Sequence, residues 1–226
     1  MHCAQSATQS AAWVDALFPA GVVATEARAT VPTSLLFPQE LAHVEAAVEK
    51  RRLEFAAGRV CARRSLARIG FAEAPLTAMP GGMPLWPNGA IGSISHTDGY
   101  CVAVAGLTKQ FRGIGVDAEV LGRVQPDLWG LIFRAEEINR LRALSPSRRM
   151  EMATIMFSAK EAFYKCQYAV TRNWLGFEDV TVEAAENEFW VSVLDEQAKA
   201  ALTGYACAGK FAVDCSRVVC GIAFQA

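Results

Sequence analysis

A chain of 226 residues with 52% hydrophobic and 20% charged side chains has enough apolar surface for a packed core, which excludes an intrinsically disordered chain. Its net charge of −1 argues against a general polyanion-binding surface, so no nucleic-acid partner is expected. There is no apolar run of about 18 residues to span a membrane. The opening MHCAQSATQSAAWVDALF lacks the basic start and sustained apolar core of a secretion signal.

Residues 1–37 read as a loose opening with short extended pieces such as GVVATEARA. Pro38 then opens a predicted helix, PQELAHVEAAVE, because proline is tolerated in a first turn. A second helix, over about 51–69, carries Phe55, Ala62, Leu66 and Ile69 on one face, with Gly70 as its C-cap. This stretch is locally basic. The segment PLTAMPGGMPLWPNGA (75–90) is too rich in turn residues for regular helix.

AIGSIS (90–95) and YCVAVAG (100–106) are predicted strands split by the turn HTDG, and GIGVDAE (113–119) is a third. Residues 120–131 form a predicted loop that exposes Leu128, Trp129 and Leu131, and helices follow over roughly 133–144 and 148–168. The tail alternates apolar and polar residues (DVTVEA, FWVSVL, KFAVDC, RVVCGIAF), which predicts antiparallel strands. The order helices, strands, helices, strands suggests an α+β chain of two similar halves, 1–110 and 111–226.

The seven cysteines (Cys3, Cys61, Cys101, Cys166, Cys207, Cys215 and Cys220) include no CxxC pair and so suggest neither a zinc site nor a thioredoxin motif. Free thiols in a reducing cytoplasm are the plain reading. GYACAGK (204–210) matches GxxxxGK but is followed by Phe211 and no helical pattern, so it is rejected as a P-loop.

Asp117 and Glu119 stand two apart in a predicted strand, so both carboxylates point to one face. Two anions so close repel unless a cation or strong donors stand between them. Mg²⁺ or Mn²⁺ takes carboxylate oxygens readily, and Glu161 is the candidate third ligand; a solvated acidic strand end is the other reading of the pair. At about 100° per residue, Lys160 falls inside the apolar arc of Met152, Ile155, Met156, Ala159, Phe163 and Tyr164. Glu161 lies at the arc's edge, one turn below Lys165. Such lysines either snorkel to solvent or supply point charges to a pyrophosphate. Arg52, Arg59 and Arg63 cluster on the shoulder of the basic helix, either as a solvated stripe or as a phosphate clamp. His96 closes a strand in GSISH (92–96), at a junction suited to phosphate contact or to a structural role. Ser95 and His96 are adjacent, so they form no nucleophile–base pair of the usual geometry, and no GxSxG elbow is present.

Trp86-Pro-x-Gly, Gly92-Ser-x-Ser-His96, Gly115-Val-Asp-x-Glu119 and Phe157-Ser-Ala-Lys-Glu-x-x-Tyr-Lys165, in this order, resemble the 4′-phosphopantetheinyl transferases. The likeness is to the monomeric, enterobactin- and surfactin-synthetase-activating group, which is tied to siderophores and other secondary metabolites. Arg51-Arg-x-Glu-Phe55, Arg59-x-Cys-Ala-Arg63 and Trp174-Leu-Gly-Phe-Glu-Asp179 extend it over roughly residues 38 to 180.

The resemblance implies two α+β halves related by a pseudo-two-fold, with a coenzyme A cleft between them. It implies Mg²⁺-dependent transfer of phosphopantetheine from coenzyme A to a serine of an apo acyl or peptidyl carrier protein, leaving adenosine 3′,5′-bisphosphate. Asp117, Glu119 and Glu161 would hold the metal, with Glu161 also the general base. Lys165 would neutralise or protonate the leaving phosphate, and Lys160 would hold a coenzyme A phosphate. Arg51 and Arg59 would bind the 3′-phosphate region, while Ser95 and His96 contact phosphate from the other half. The Leu128–Leu131 loop would dock a carrier helix. Many relatives carry a basic residue where this chain has Gly81, a contact that is then either missing or supplied by another arginine such as Arg52 or Arg63. Two other readings stand beside the transferase: a Mg²⁺-dependent phosphohydrolase of coenzyme A or a related nucleotide, and a non-catalytic coenzyme A- or carrier-binding module.

Overall fold

The computed structural model describes residues 8–28, 30–79, 82–214 and 216–226. The chain changes sheet between Leu107 and Phe111. The first sheet contains β1 (Gln9–Ser10), β2 (Val23–Ala27), β3 (Ala90–Thr97) and β4 (Tyr100–Leu107), in the order β1-β2-β4-β3. The second contains β5 (Phe111–Val120), β6 (Val180–Ala185), β7 (Glu188–Val193), β8 (Ala208–Asp214) and β9 (Arg217–Gln225), in the order β5-β9-β8-β7-β6. All these pairings are antiparallel. The helices are α1 (Ala12–Asp15), α2 (Pro38–Leu41), α3 (Glu49–Arg68), α4 (Trp129–Ile132), α5 (Ala135–Arg142), α6 (Pro146–Thr171) and α7 (Glu196–Ala201). Each half is thus an antiparallel sheet with one long helix across it, α3 on the first and α6 on the second, the two alike as a pseudo-two-fold requires.

Apolar burial explains these layers. Ala56, Val60 and Leu66 of α3 pack on Ala27, Cys101 and Ala103 of the first sheet. Ile155, Ala159 and Phe163 of α6 pack on Val182, Phe189 and Phe224 of the second. A third cluster spans the halves: Tyr100, Val102 and Val104 of β4 meet Ile114, Val116 and Ala118 of β5 and Val219 of β9.

Alternation along β5 sends Gly113, Gly115, Asp117 and Glu119 to the opposite face from Ile114, Val116 and Ala118. At Gly113 and Gly115 a Cβ would collide with the α6 backbone, at the carbonyls of Cys166 and Ala162 respectively. The two glycines therefore let α6 lie directly on β5, and the carboxylates of the next two residues on that face emerge beside the helix. Along its other edge β5 meets β3 through side chains: Val116 N–H donates to Ser93 Oγ at 3.1 Å and Ala118 N–H to Ser95 Oγ at 3.2 Å.

Several elements differ from the sequence reading. The helix expected over PQELAHVEAAVE stops after Leu41, because among residues 42–48 only Val44 is buried and a helix with no face to bury is not held. Residues 120–131 are not simply a loop: α4 starts at Trp129, which is buried and donates from Nε1 to Val124 O at 3.2 Å. Only Leu128 and Leu131 of the expected apolar patch are exposed. Helix α7 was not anticipated; its signal was Asp195, which caps it by accepting from Ala198 N–H at 2.7 Å. Cys61, Cys101, Cys166 and Cys220 are buried free thiols and Cys207 is a half-buried one; Cys3, Cys215 and Gly81 lie outside the described residues. No helix among the described residues is long and apolar enough to cross a membrane.

Candidate active site

The seam between β3, β5 and α6 gathers most of the candidate residues. Asp117 is buried, and its Oδ1 accepts from Lys165 Nζ at 2.7 Å and from Ser95 Oγ at 2.8 Å. Lys165 also donates to Val116 O (3.1 Å) and to Ser95 Oγ (3.2 Å). Asp117 Oδ2 is buried with no hydrogen-bond partner, an acceptor left open to a cation or donor that the chain itself does not supply.

Glu119 and Glu161 accept no hydrogen bond among the described residues. Burial, reinforced by the charge of Asp117, raises the Glu119 carboxyl to about 7, with Glu161 adding to the repulsion. Burial and Asp117 likewise push Glu161 up, against the pull of Lys165. Three repelling hard-oxygen donors, one with an orphaned buried oxygen, match the chemistry of a divalent cation. As they stand they do not converge: among the described residues no three carboxylate, histidine or cysteine side chains meet closely enough to enclose an ion.

Beside this cluster, Arg51 donates from Nη1 to His96 Nε2 at 3.2 Å. That makes Nε2 an acceptor and places the ring proton on Nδ1, 3.8 Å from Glu54 Oε2. Burial lowers the His96 pKa, Glu54 opposes this, and the charges of Lys165 and Asp117 both reach the ring. Arg59 is 4% exposed and lies over the Phe55 ring at 4.1 Å, with Nε and Nη2 buried and unpartnered. Burial brings its pKa down to about 10. Two unmet guanidinium donors are costly unless an anion takes them. Arg63 has no such freedom, since Nη1, Nη2 and Nε are committed to Glu40, Leu35 O and Glu73. It therefore does not replace a cation missing at Gly81.

Lys160 corrects the sequence reading. Its ammonium is fully buried among Ile132 O (2.9 Å), Glu137 Oε2 (2.9 Å), Phe177 O (3.0 Å) and Val180 O (3.1 Å). The apolar arc that holds it faces the core of the C-terminal half, and every donor is spent there. Lys160 is a core strut and not a coenzyme A phosphate contact. Its partner Glu137 was missed; the available signal was Arg134-x-x-Glu137, a helix start in which Glu137 accepts from Arg134 N–H at 2.9 Å. The hydroxyl of Ser95, the expected phosphate contact, is bonded here to Asp117, Ala118 N–H and Lys165. Ser93, its counterpart one pleat earlier, was not singled out.

Glu161 and Lys165 open onto a cavity of about 930 Å³ between β3, the 82–86 segment and the C-terminal half of α6. Trp86, Ile94, Tyr164 and Phe177 make its walls largely apolar, and it runs along α6 as far as Arg172.

Residues 38–106 match the family described as the 4′-phosphopantetheinyl transferase N-terminal domain, and residues 113–215 match the 4′-phosphopantetheinyl transferase superfamily. The two matches meet where the chain changes sheet, which defines a two-domain protein of the phosphopantetheinyl transferase class. The chain is 33% identical over 171 residues to the 4′-phosphopantetheinyl transferase Npt of Nocardia iowensis, covering 75% of each chain. It is 38% identical over 149 residues to Svp of Streptomyces mobaraensis and 37% over 147 residues to PptT of Mycobacterium tuberculosis, both also 4′-phosphopantetheinyl transferases. These matches cover 66% and 64% of this chain but 61% and 63% of those relatives, less than two thirds of their length. The chain belongs to the 4′-phosphopantetheinyl transferase superfamily.

Proposed function

We propose that this protein transfers the 4′-phosphopantetheine group of coenzyme A to a serine hydroxyl of an apo acyl or peptidyl carrier protein, releasing adenosine 3′,5′-bisphosphate. The observation that carries this reading is the Asp117–Lys165–Ser95 cluster, whose Lys165 lines, together with Glu161, a cavity between two halves of this superfamily's fold.

In this reading residues 1–110 contact the nucleotide and residues 111–226 carry the chemistry. Arg59 offers its open guanidinium, with Arg51 and His96 beside it, to the phosphates of coenzyme A. Asp117, Glu119 and Glu161 are the ligands for a divalent cation, Mg²⁺ or Mn²⁺, which when bound supplies positive charge to the pyrophosphate oxygens. Glu161 lines the cavity and is the carboxylate placed there to take the carrier serine's proton. The serine oxygen attacks the phosphorus that bears pantetheine. A new P–O bond forms as the bond from that phosphorus to the bridging oxygen breaks, and the bisphosphate leaves with the electron pair. Lys165 opposes the charge that grows on the leaving group. A monomer acting in the cytoplasm, in fatty-acid or secondary-metabolite pathways such as siderophore assembly, completes the reading.

Intact-mass measurement of an apo carrier protein incubated with this chain, coenzyme A and Mg²⁺ tests it. The expected result is a gain of one phosphopantetheine, abolished by EDTA. Cleavage of coenzyme A with no gain on any carrier would instead indicate the phosphohydrolase.

A further inference from the structure

Ser95 stands on β3, the edge strand of the N-terminal half, and is 6% exposed. Its one hydroxyl has three partners, all in the C-terminal half. It donates to Asp117 Oδ1 at 2.8 Å, and accepts from Ala118 N–H at 3.2 Å and from Lys165 Nζ at 3.2 Å. A serine hydroxyl offers one proton and two lone pairs, and here all three are used across the seam. Lys165 is committed in the same way: its three N–H groups have Ser95 Oγ, Val116 O and Asp117 Oδ1 as acceptors. Both bonds to Asp117 fall on Oδ1, so the carboxylate is pinned in rotation and Oδ2 is left open.

We propose that Ser95 is a positioning residue for the transfer reaction, one that reaches across the seam to fix the Asp117 carboxylate and the Lys165 ammonium. The inference rests on the transferase reading above and adds to the role that the resemblance implies for this serine. Without the hydroxyl, Asp117 rotates about χ2, and Lys165 loses the acceptor that holds it between the two halves. Orientation losses of this kind act on turnover more than on ground-state affinity.

The test is steady-state kinetics with coenzyme A and an apo carrier, together with calorimetric titration of coenzyme A, on the wild type and on Ser95→Ala and Ser95→Thr. The expected result for Ser95→Ala is a kcat lower by about 30-fold or more with a Kd for coenzyme A within about twofold of wild type, a split that marks loss of orientation rather than of binding. Ser95→Thr, which restores the hydroxyl, recovers most of the turnover. In the Ser95→Ala background, Lys165→Ala costs less than it does in the wild type, because the two act as a unit. If Ser95→Ala does not fold, Ser95→Cys keeps the bulk, weakens the donor and gives the same split. A Kd raised about tenfold with kcat retained would mean a direct phosphate contact and overturn the proposal, as would no change in either quantity. A wild type that loads no carrier would instead overturn the transferase reading itself, and this inference with it.

Discussion

Lys160, fully buried, and Glu119, half-buried, are ionisable residues of the C-terminal half that differ in what their neighbours supply. Lys160 has a carboxylate and three carbonyls around its ammonium, so burial is compensated on every side. Removing it strands Glu137, itself fully buried, along with those carbonyls. Breaking such a pair from one side costs about 3–5 kcal/mol. Lys160→Ala is therefore expected to lower the unfolding free energy by that amount, read as a lower urea midpoint at unchanged m-value, while coenzyme A affinity per folded molecule stays unchanged. Glu119 has no such compensation. With its pKa raised from 4.5 to about 7, its contribution to stability is fully present below pH 4.5 and is lost as pH rises through 7. A bound cation needs the ionised form and removes that loss. The rise in Tm on adding Mg²⁺ should thus be larger at pH 8 than at pH 6, and Glu119→Gln should shrink the difference. Equal shifts at both pH values would separate Glu119 from the metal.

Among the elements, the β5–α6 pair decides the geometry of the site. It is built on absence of side chain: at Gly115 an added Cβ would strike the Ala162 carbonyl, which α6 cannot withdraw without moving as a whole. Gly115→Ala is expected to destabilise the fold by about 1–3 kcal/mol. It should also reduce transfer beyond what the lost stability explains, because Asp117 and Lys165 separate when the helix lifts; kinetics below the unfolding temperature read the two effects apart.

This pair also shows what the sequence makes legible. The two-residue period of GIGVDAE placed Asp117 and Glu119 on one face, and that face does meet α6. The 3.6-residue period likewise put Lys160 in the apolar arc. What periodicity does not carry is which side of the helix becomes cleft and which becomes core, because that depends on where residues 132, 137, 177 and 180 return to meet it. So Glu161 and Lys165 reached the cavity, while Lys160, one position away from Glu161, went into the interior. The stop after Leu41 was hidden for the same kind of reason: helical propensity runs on through AHVEAAVE, and only tertiary contact decides whether it is used.

At the scale of the whole molecule, the two halves are not separable bodies. Their boundary in the sequence lies between Leu107 and Phe111, but in space β4 of one half shares an apolar cluster with β5 and β9 of the other. The seam adds polar links on top of this, from Ser93 and Ser95 to the β5 backbone, and Arg28 of β2's C-terminal side pairs with Asp214 of β8 at 3.0 Å. Splitting the halves would expose Ile114, Val116 and Ala118 on one side and Tyr100, Val102 and Val104 on the other, surface that neither half covers alone. Urea unfolding should therefore be a single transition, with tryptophan fluorescence, which samples both halves, coinciding with far-ultraviolet circular dichroism. If coenzyme A binds at the seam as proposed, it should move that one midpoint for both probes together. Two separated transitions would mean that the halves are held by the cleft's ligand rather than by the shared cluster, and Val116→Ala, which weakens the cluster without touching the carboxylates, would then leave the first midpoint where it was.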